Sequence, residues 1–177
     1  LGNAEIVHAL KEIVDEFKIK RLVLDPILRA GGGSPLADED LLVAMREELL
    51  PLTTILTPNV YEALKIAGTT DIALAAETLQ SFGCRNVLVT GADIEGEEVI
   101  NRWYASNGLS KKWVWPKLPG SFHGSGCTLA AAVAANLALG RDLEVALGAA
   151  QTFTFRALQG AHLPGGGQWV PQRVTFD

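Results

Sequence analysis

An α/β fold with a mainly parallel central sheet is the architecture this sequence predicts, and three observations predict it. Short apolar runs of strand length alternate with stretches of helical periodicity along the chain. The early runs stop at Asp25-Pro26, Thr57-Pro58 and Thr90-Gly91, so a loop follows each strand at its carboxyl end, where ligands bind in such sheets. With 48% of its 177 residues hydrophobic, the chain can bury the core of one domain, residues 1–177.

Taken in order, Asn3 leads into an amphipathic helix with Ile6, Leu10, Ile13 and Phe17 on one face. Residues 21–26 form an apolar run between charges and a proline, read as a short buried strand that carries Asp25 at its end. A Gly31-Gly32-Gly33-Ser34 loop follows, then a helix from near Asp38 whose apolar stripe is Leu41, Leu42, Met45, Leu49 and Leu50. A strand over 54–57 stops at Pro58, helices are read near 61–67 and 72–82, and a strand over 86–90 ends in the turn Gly91-Ala92-Asp93.

Residues 98–104 and 111–115, separated by Ser106-Asn107-Gly108, read as an antiparallel hairpin at the sheet edge. Trp103, Trp113, Trp115 and Trp169 are packing residues of that hairpin and of the tail. An alanine-rich helix then runs to about residue 139 and a last helix covers about 143–158. The tail with Gly165-Gly166-Gly167 reads as loop.

Composition narrows the function classes. A formal charge of -5 and the lack of any lysine or arginine cluster give no footprint for nucleic acid or an anionic membrane. The apolar stretch 128–139 is short and interrupted by Asn136, so it is a core helix and not a membrane span. Cys84 and Cys127 are too few for a disulfide framework or a zinc site, which fits a reducing cytoplasm. The partner expected is a small molecule.

The segment His123-Gly124-Ser125-Gly126-Cys127-Thr128 is the one that points to chemistry. Its glycines let backbone approach a ligand, and the amides opening the next helix point at that ligand with the positive end of the helix dipole. Cys127 at that end can act as a proton acceptor or nucleophile. A glycine turn before a buried helix, with Cys127 as a structural thiol, reads the same residues without chemistry. Asn59 and Glu62, three apart at a helix start, turn an amide and a carboxylate to one face, either toward a ligand or as a helix cap.

Four segments, Asp25-Pro26, Thr57-Pro58-Asn59-Val60-Tyr61-Glu62, Thr90-Gly91 and Gly124-Ser125-Gly126-Cys127, occur in this order along the chain. At these residues the sequence resembles the ribokinase-like superfamily, and within it the hydroxymethylpyrimidine/phosphomethylpyrimidine kinases of thiamine biosynthesis, over nearly its whole length. The resemblance implies a three-layer α/β/α fold and ATP-dependent phosphorylation of a hydroxymethylpyrimidine and of its monophosphate. It implies that, after the Gly124 turn, the amides of Ser125, Gly126 and Cys127 hold the transferring phosphoryl group and that Cys127 receives the substrate hydroxyl's proton. Asn59, Thr90 and Gly91 would contact ATP, although many thiamine-pathway relatives carry lysine where Thr90 stands. Asp25 and Glu62 would hold Mg²⁺, and a monovalent cation would use Asp25, the Thr57 carbonyl and Glu62.

Ile27 would line the pyrimidine pocket, a position equally suited to core packing, and His123 is read as structural. A cytoplasmic homodimer is expected. Pyridoxal or pyridoxine kinase activity and a non-catalytic module of the same fold stay open, because the ring-reading glycine-rich loop and glutamine of the resembled family have no counterpart here. The chain is accordingly expected to be the C-terminal two-thirds or so of the family fold, without its first strands.

Overall fold

The computed structural model describes residues 2–28, 38–92, 94–108 and 110–174. The expected glycine loop at residues 31–34 and Asp93 of the expected turn lie outside them. The chain forms two compact units, Leu1–Val114 and Trp115–Asp177.

The first unit begins with α1 (Ala4–Glu16), whose N-terminus is closed by Asn3 Oδ1 accepting the amide of Ile6 at 3.0 Å. The face it buries differs from the one expected. Val7 and Val14 are buried and Leu10 packs against the core, whereas Ile6, Ile13 and Phe17 are 44%, 45% and 69% exposed. Two apolar stripes overlap on this helix at Leu10, and packing against α2 (Glu39–Ala44) and the π-helical turn Met45–Leu49 selects the one through Val7 and Val14.

Asp38 caps α2 by accepting the amide of Leu41 at 2.9 Å. The helix loosens into the π turn and tightens into the 3₁₀ turn Leu50–Leu52, where Pro51 supplies the fixed φ. All five residues of the expected stripe are at most 1% exposed.

The sheet runs β1 (Val23–Leu24), β2 (Ile55–Leu56), β3 (Asn86–Val89), β4 (Glu98–Ala105), β5 (Ser110–Pro116) in that spatial order. The pairs β1 with β2 and β2 with β3 are parallel, and β3 with β4 is antiparallel, so the expected parallel strands carry the expected antiparallel hairpin at their edge in one mixed sheet. β1 is two residues long rather than six. Its ladder is flanked by Leu22, which binds Thr54 through both amide and carbonyl, and stops at Pro26, which has no amide to give.

α3 (Val60–Ala67) ends at Gly68, whose φ of 70° is the left-handed conformation that closes helices at glycine. α4 (Ile72–Ser81) is capped by Asp71. Both helices lie where the periodicity placed them, as do β2, β3 and the hairpin strands.

In the second unit α5 (Ser125–Ala138) packs on α6 (Leu143–Gln159), and the alanines Ala132, Ala146 and Ala150 are among the buried residues of that pair. No helix among the described residues is long and apolar enough to cross a membrane. Trp115 packs on Phe155 with ring centroids 5.1 Å apart and donates its indole N–H to Gln151 Oε1 at 3.2 Å. The tail is more ordered than a loop. Trp169 bonds Ser121 and His123 through its backbone, Val170 pairs with His162, and the Gln172 amide donates to the Ala157 carbonyl at 2.8 Å.

Candidate active site

In the first unit the carboxyl ends of β1, β2 and β3 bring Asp25, Thr57 and Thr90 to neighbouring strands. Thr57 is tied to β1, its amide donating to the Leu24 carbonyl at 2.9 Å and its hydroxyl to the same oxygen at 3.4 Å. Asn59 forms a parallel bridge with Thr90 and begins α3 with a reciprocal cap. Its Oδ1 accepts the Glu62 amide at 2.8 Å and its own amide donates to Glu62 Oε2 at 2.9 Å.

Glu62 is buried, and its second oxygen, Oε1, accepts the amide of Leu28 at 3.1 Å. That bond draws the segment after Asp25-Pro26 onto α3. Between them stands half-buried Ile27 at a φ of 23°, outside the backbone conformations open to a β-branched residue without strain. Burial and the facing Glu62 charge push the Asp25 carboxyl up to about 6.

This arrangement fits a divalent cation held largely by water and phosphate. No group of three or more His, Cys, Asp or Glu gathers among the described residues, so the protein alone offers no cage. Two carboxylates, Asp25 and Glu62, are the number Mg²⁺ takes when its other ligands are water and phosphate oxygens.

Thr90 and Gly91 have other engagements than phosphate. The Thr90 amide donates to the Pro58 carbonyl at 2.9 Å, and the Gly91 amide to Oδ1 of the buried Asn101 at 3.1 Å. Residue 91 must be glycine for a packing reason, since a Cβ there would lie 2.5 Å from the Ile100 carbonyl oxygen of β4. Gly91 also lines a cavity of about 510 Å³ with Ile72, Ile94, Ile100 and Arg102, whose rim carries Glu95, Glu97 and Glu98. Three glutamates to one arginine make that rim unfavourable to phosphate.

In the second unit Gly124, with φ 82° and ψ 15°, is the left-handed residue that turns the chain into α5, and no side chain caps the helix. The amides of Ser125, Gly126 and Cys127 are therefore the first-turn donors that helix geometry leaves without intrahelical partners. Cys127 is exposed, unlike the packing thiol that the alternative reading required. His123 donates its amide to the Trp169 carbonyl and so helps to fasten the tail.

Sequence reasoning missed two residues. Asn101 was visible only as an amide inside an alternating strand. Arg173, in an aperiodic tail, donates from Nε to Thr128 Oγ1 at 2.9 Å, and Thr128 Oγ1 donates to the Gly124 carbonyl at 2.7 Å.

Comparison with known proteins places these features in a class. The fold is that of ribokinase-like kinases. The Staphylococcus aureus pyridoxal kinase in complex with AMP-PCP superposes with a TM-score of 0.88 at 23% identity, over 98% of this chain and 65% of that one. The phosphomethylpyrimidine kinase of Clostridium difficile gives 0.73 at 26% identity, over 89% and 65%. In sequence, the hydroxymethylpyrimidine/phosphomethylpyrimidine kinase of Synechococcus elongatus is 34% identical over 174 residues, 95% of this chain and 66% of that protein.

The phosphomethylpyrimidine kinase family matches residues 1–171, through both units, and the chain belongs to that family. It spans just under two thirds of the length of each of these three proteins.

Proposed function

We infer that this chain carries the phosphoryl-transfer machinery of a single-domain kinase that moves the terminal phosphoryl group of ATP to 4-amino-5-hydroxymethyl-2-methylpyrimidine and then to its monophosphate, a reaction of thiamine biosynthesis. The observation that carries this reading is the left-handed Gly124 opening an uncapped helix, with the accessible thiol of Cys127 in its first turn. Membership of the phosphomethylpyrimidine kinase family supports it.

In this reading the Gly124 turn lets the amides of Ser125, Gly126 and Cys127 present donors to the oxygens of the transferring group, where negative charge spreads in the transition state. The substrate hydroxyl oxygen forms the new bond to phosphorus, the bond to the ADP oxygen breaks, and the Cys127 thiolate takes the hydroxyl proton. Asp25 and Glu62 would hold Mg²⁺, which supplies charge neutralisation on the phosphate oxygens, and Thr57 would add a carbonyl for a monovalent cation. Asn59 and Thr90 serve the nucleotide through the Asn59 side-chain NH2 and the Thr90 hydroxyl, with Gly91 beside them, because Asn59 Oδ1 and the Thr90 and Gly91 amides are paired within the protein. Ile27 packs beside the substrate ring. The protein works as a cytoplasmic homodimer, which light scattering on the purified chain tests.

The test of the reading is ADP release by the complete enzyme with the hydroxymethylpyrimidine, its monophosphate and pyridoxal as competing acceptors. Preference for the pyrimidines is expected. Cys127→Ala should lower kcat by roughly 10²–10⁴-fold with ATP affinity little changed, and Cys127→Asp should recover part of it. Preference for pyridoxal would move the assignment to the pyridoxal kinases, and ATP binding without turnover of any acceptor would make the chain a binding module.

A further inference from the structure

We propose that Arg173 is a phosphate ligand of the same site, a cation that the tail brings to the mouth of α5 to hold the terminal phosphate of the nucleotide. The proposal rests on the kinase reading above and adds a residue to it. Three independent features of the second unit carry it.

The first is electrostatic. The opening turn of a helix is already positive, and cations are stabilised at the opposite end. A guanidinium placed against Gly124 and Thr128 therefore sits where the helix repels it. Among the described residues no carboxylate lies within ion-pair distance of Arg173 to offset this. The amides opening α5 and an exposed guanidinium with no ion-pair partner among the described residues converge on one place, and both favour an anion there.

The second feature is positioning. Arg173 Nε is held by Thr128 Oγ1 at 2.9 Å, and that hydroxyl is itself oriented by its 2.7 Å bond to the Gly124 carbonyl. One of the five guanidinium donors is thus spent on orientation, and the two terminal nitrogens keep the fork that matches phosphate oxygens.

The third is the chain on either side. Trp169 and Gln172 anchor the tail by backbone bonds to Ser121, His123 and Ala157, which sets Arg173 beside the glycine turn. A Cβ at position 124 would lie 2.7 Å from Arg173 Nη2. The guanidinium thus lies directly against Gly124, whose φ of 82° is what requires glycine there.

The experiment uses the full chain and its Arg173→Ala and Arg173→Lys variants, with circular dichroism to verify folding. Calorimetry with Mg²⁺ measures Kd for AMP-PCP and for ADP, and kcat is measured with the pyrimidine acceptor. In the wild type AMP-PCP should bind more tightly than ADP, and Arg173→Ala should bring the ratio of the two Kd values close to one. Its kcat should fall by roughly 10²–10³-fold, the loss seen when one donor to a transition-state oxyanion is removed. Lysine should restore only part, and guanidinium added to the alanine variant should recover activity, which a merely structural role would not permit.

An alanine variant within threefold of wild-type kcat, with an unchanged Kd ratio, overturns the proposal, as does a wild type that binds AMP-PCP no better than ADP. If the alanine variant fails to fold, a lysine variant with the wild-type ratio and kcat overturns it. A wild type that discriminates the two nucleotides through Arg173 but phosphorylates no pyrimidine would keep this proposal and reject the substrate assignment.

Discussion

Asp25 shows how a single residue records its surroundings. Its carboxyl titrates near 6 in the folded chain because burial and the Glu62 charge both oppose ionisation, against an ordinary value of 3.8 when unfolded. The folded state therefore holds this proton more tightly, and the stability contributed is complete below the unfolded value and lost as pH rises through about 6. Asp25→Asn should gain on the order of 2 kcal/mol over wild type at pH 7 in the absence of divalent cation, a gain that shrinks toward pH 4. Urea unfolding of both proteins across that range checks it, and a pH-independent difference would remove the coupling. The two thiols make a second contrast. Cys84 is buried, donates to the Asn86 carbonyl at 3.1 Å and is pushed up to about 11 by burial, whereas Cys127 is exposed. One thiol per chain should react rapidly with Ellman's reagent, the second only on unfolding, and Cys127→Ser should abolish the fast phase. A fast phase surviving that substitution would mean that Cys84 is accessible.

Among the elements, α3 is the one whose start serves both folding and the proposed chemistry. The reciprocal bonds between Asn59 and Glu62 satisfy two donors at the helix start, so Asn59→Ala should cost about 1 kcal/mol and Asn59→Asp should restore it, because aspartate caps as well as asparagine. Activity should part from stability in the aspartate variant, since a third carboxylate would then stand beside Glu62 and the phosphates. An aspartate variant equal to wild type in both stability and kcat would confine Asn59 to capping. This element was legible in advance because capping is local chemistry: an asparagine, a hydrophobic run and an acid three places on are enough. The buried face of α1 was not. Ile6, Ile13 and Phe17 satisfy helical periodicity as well as Val7 and Val14 do, and only contact with α2 and the π turn distinguishes the two stripes.

For the whole molecule, binding to the native state alone is the most direct reading of a nucleotide site. ATP with Mg²⁺ at about 100 times Kd should add about 2.7 kcal/mol, which for a chain of this size raises Tm by roughly 5–10 °C. Scanning fluorimetry measures it, and an equal shift from adenosine would place the binding energy outside the phosphates. What the sequence determined by itself is whatever neighbouring residues decide among themselves. That covers the alternation of strands and helices, the capped starts of α2, α3 and α4, the glycine turn into α5, and a motif set specific enough to indicate the family. The tertiary structure alone decided what depends on residues far apart in the chain. The Leu28 amide reaches Glu62 across 34 positions and Arg173 reaches Thr128 across 45, while the Gly91 amide is claimed by Asn101 on the next strand. No local pattern encodes such pairs, because each exists only after packing has brought two unrelated segments together and left a polar group that must find a partner.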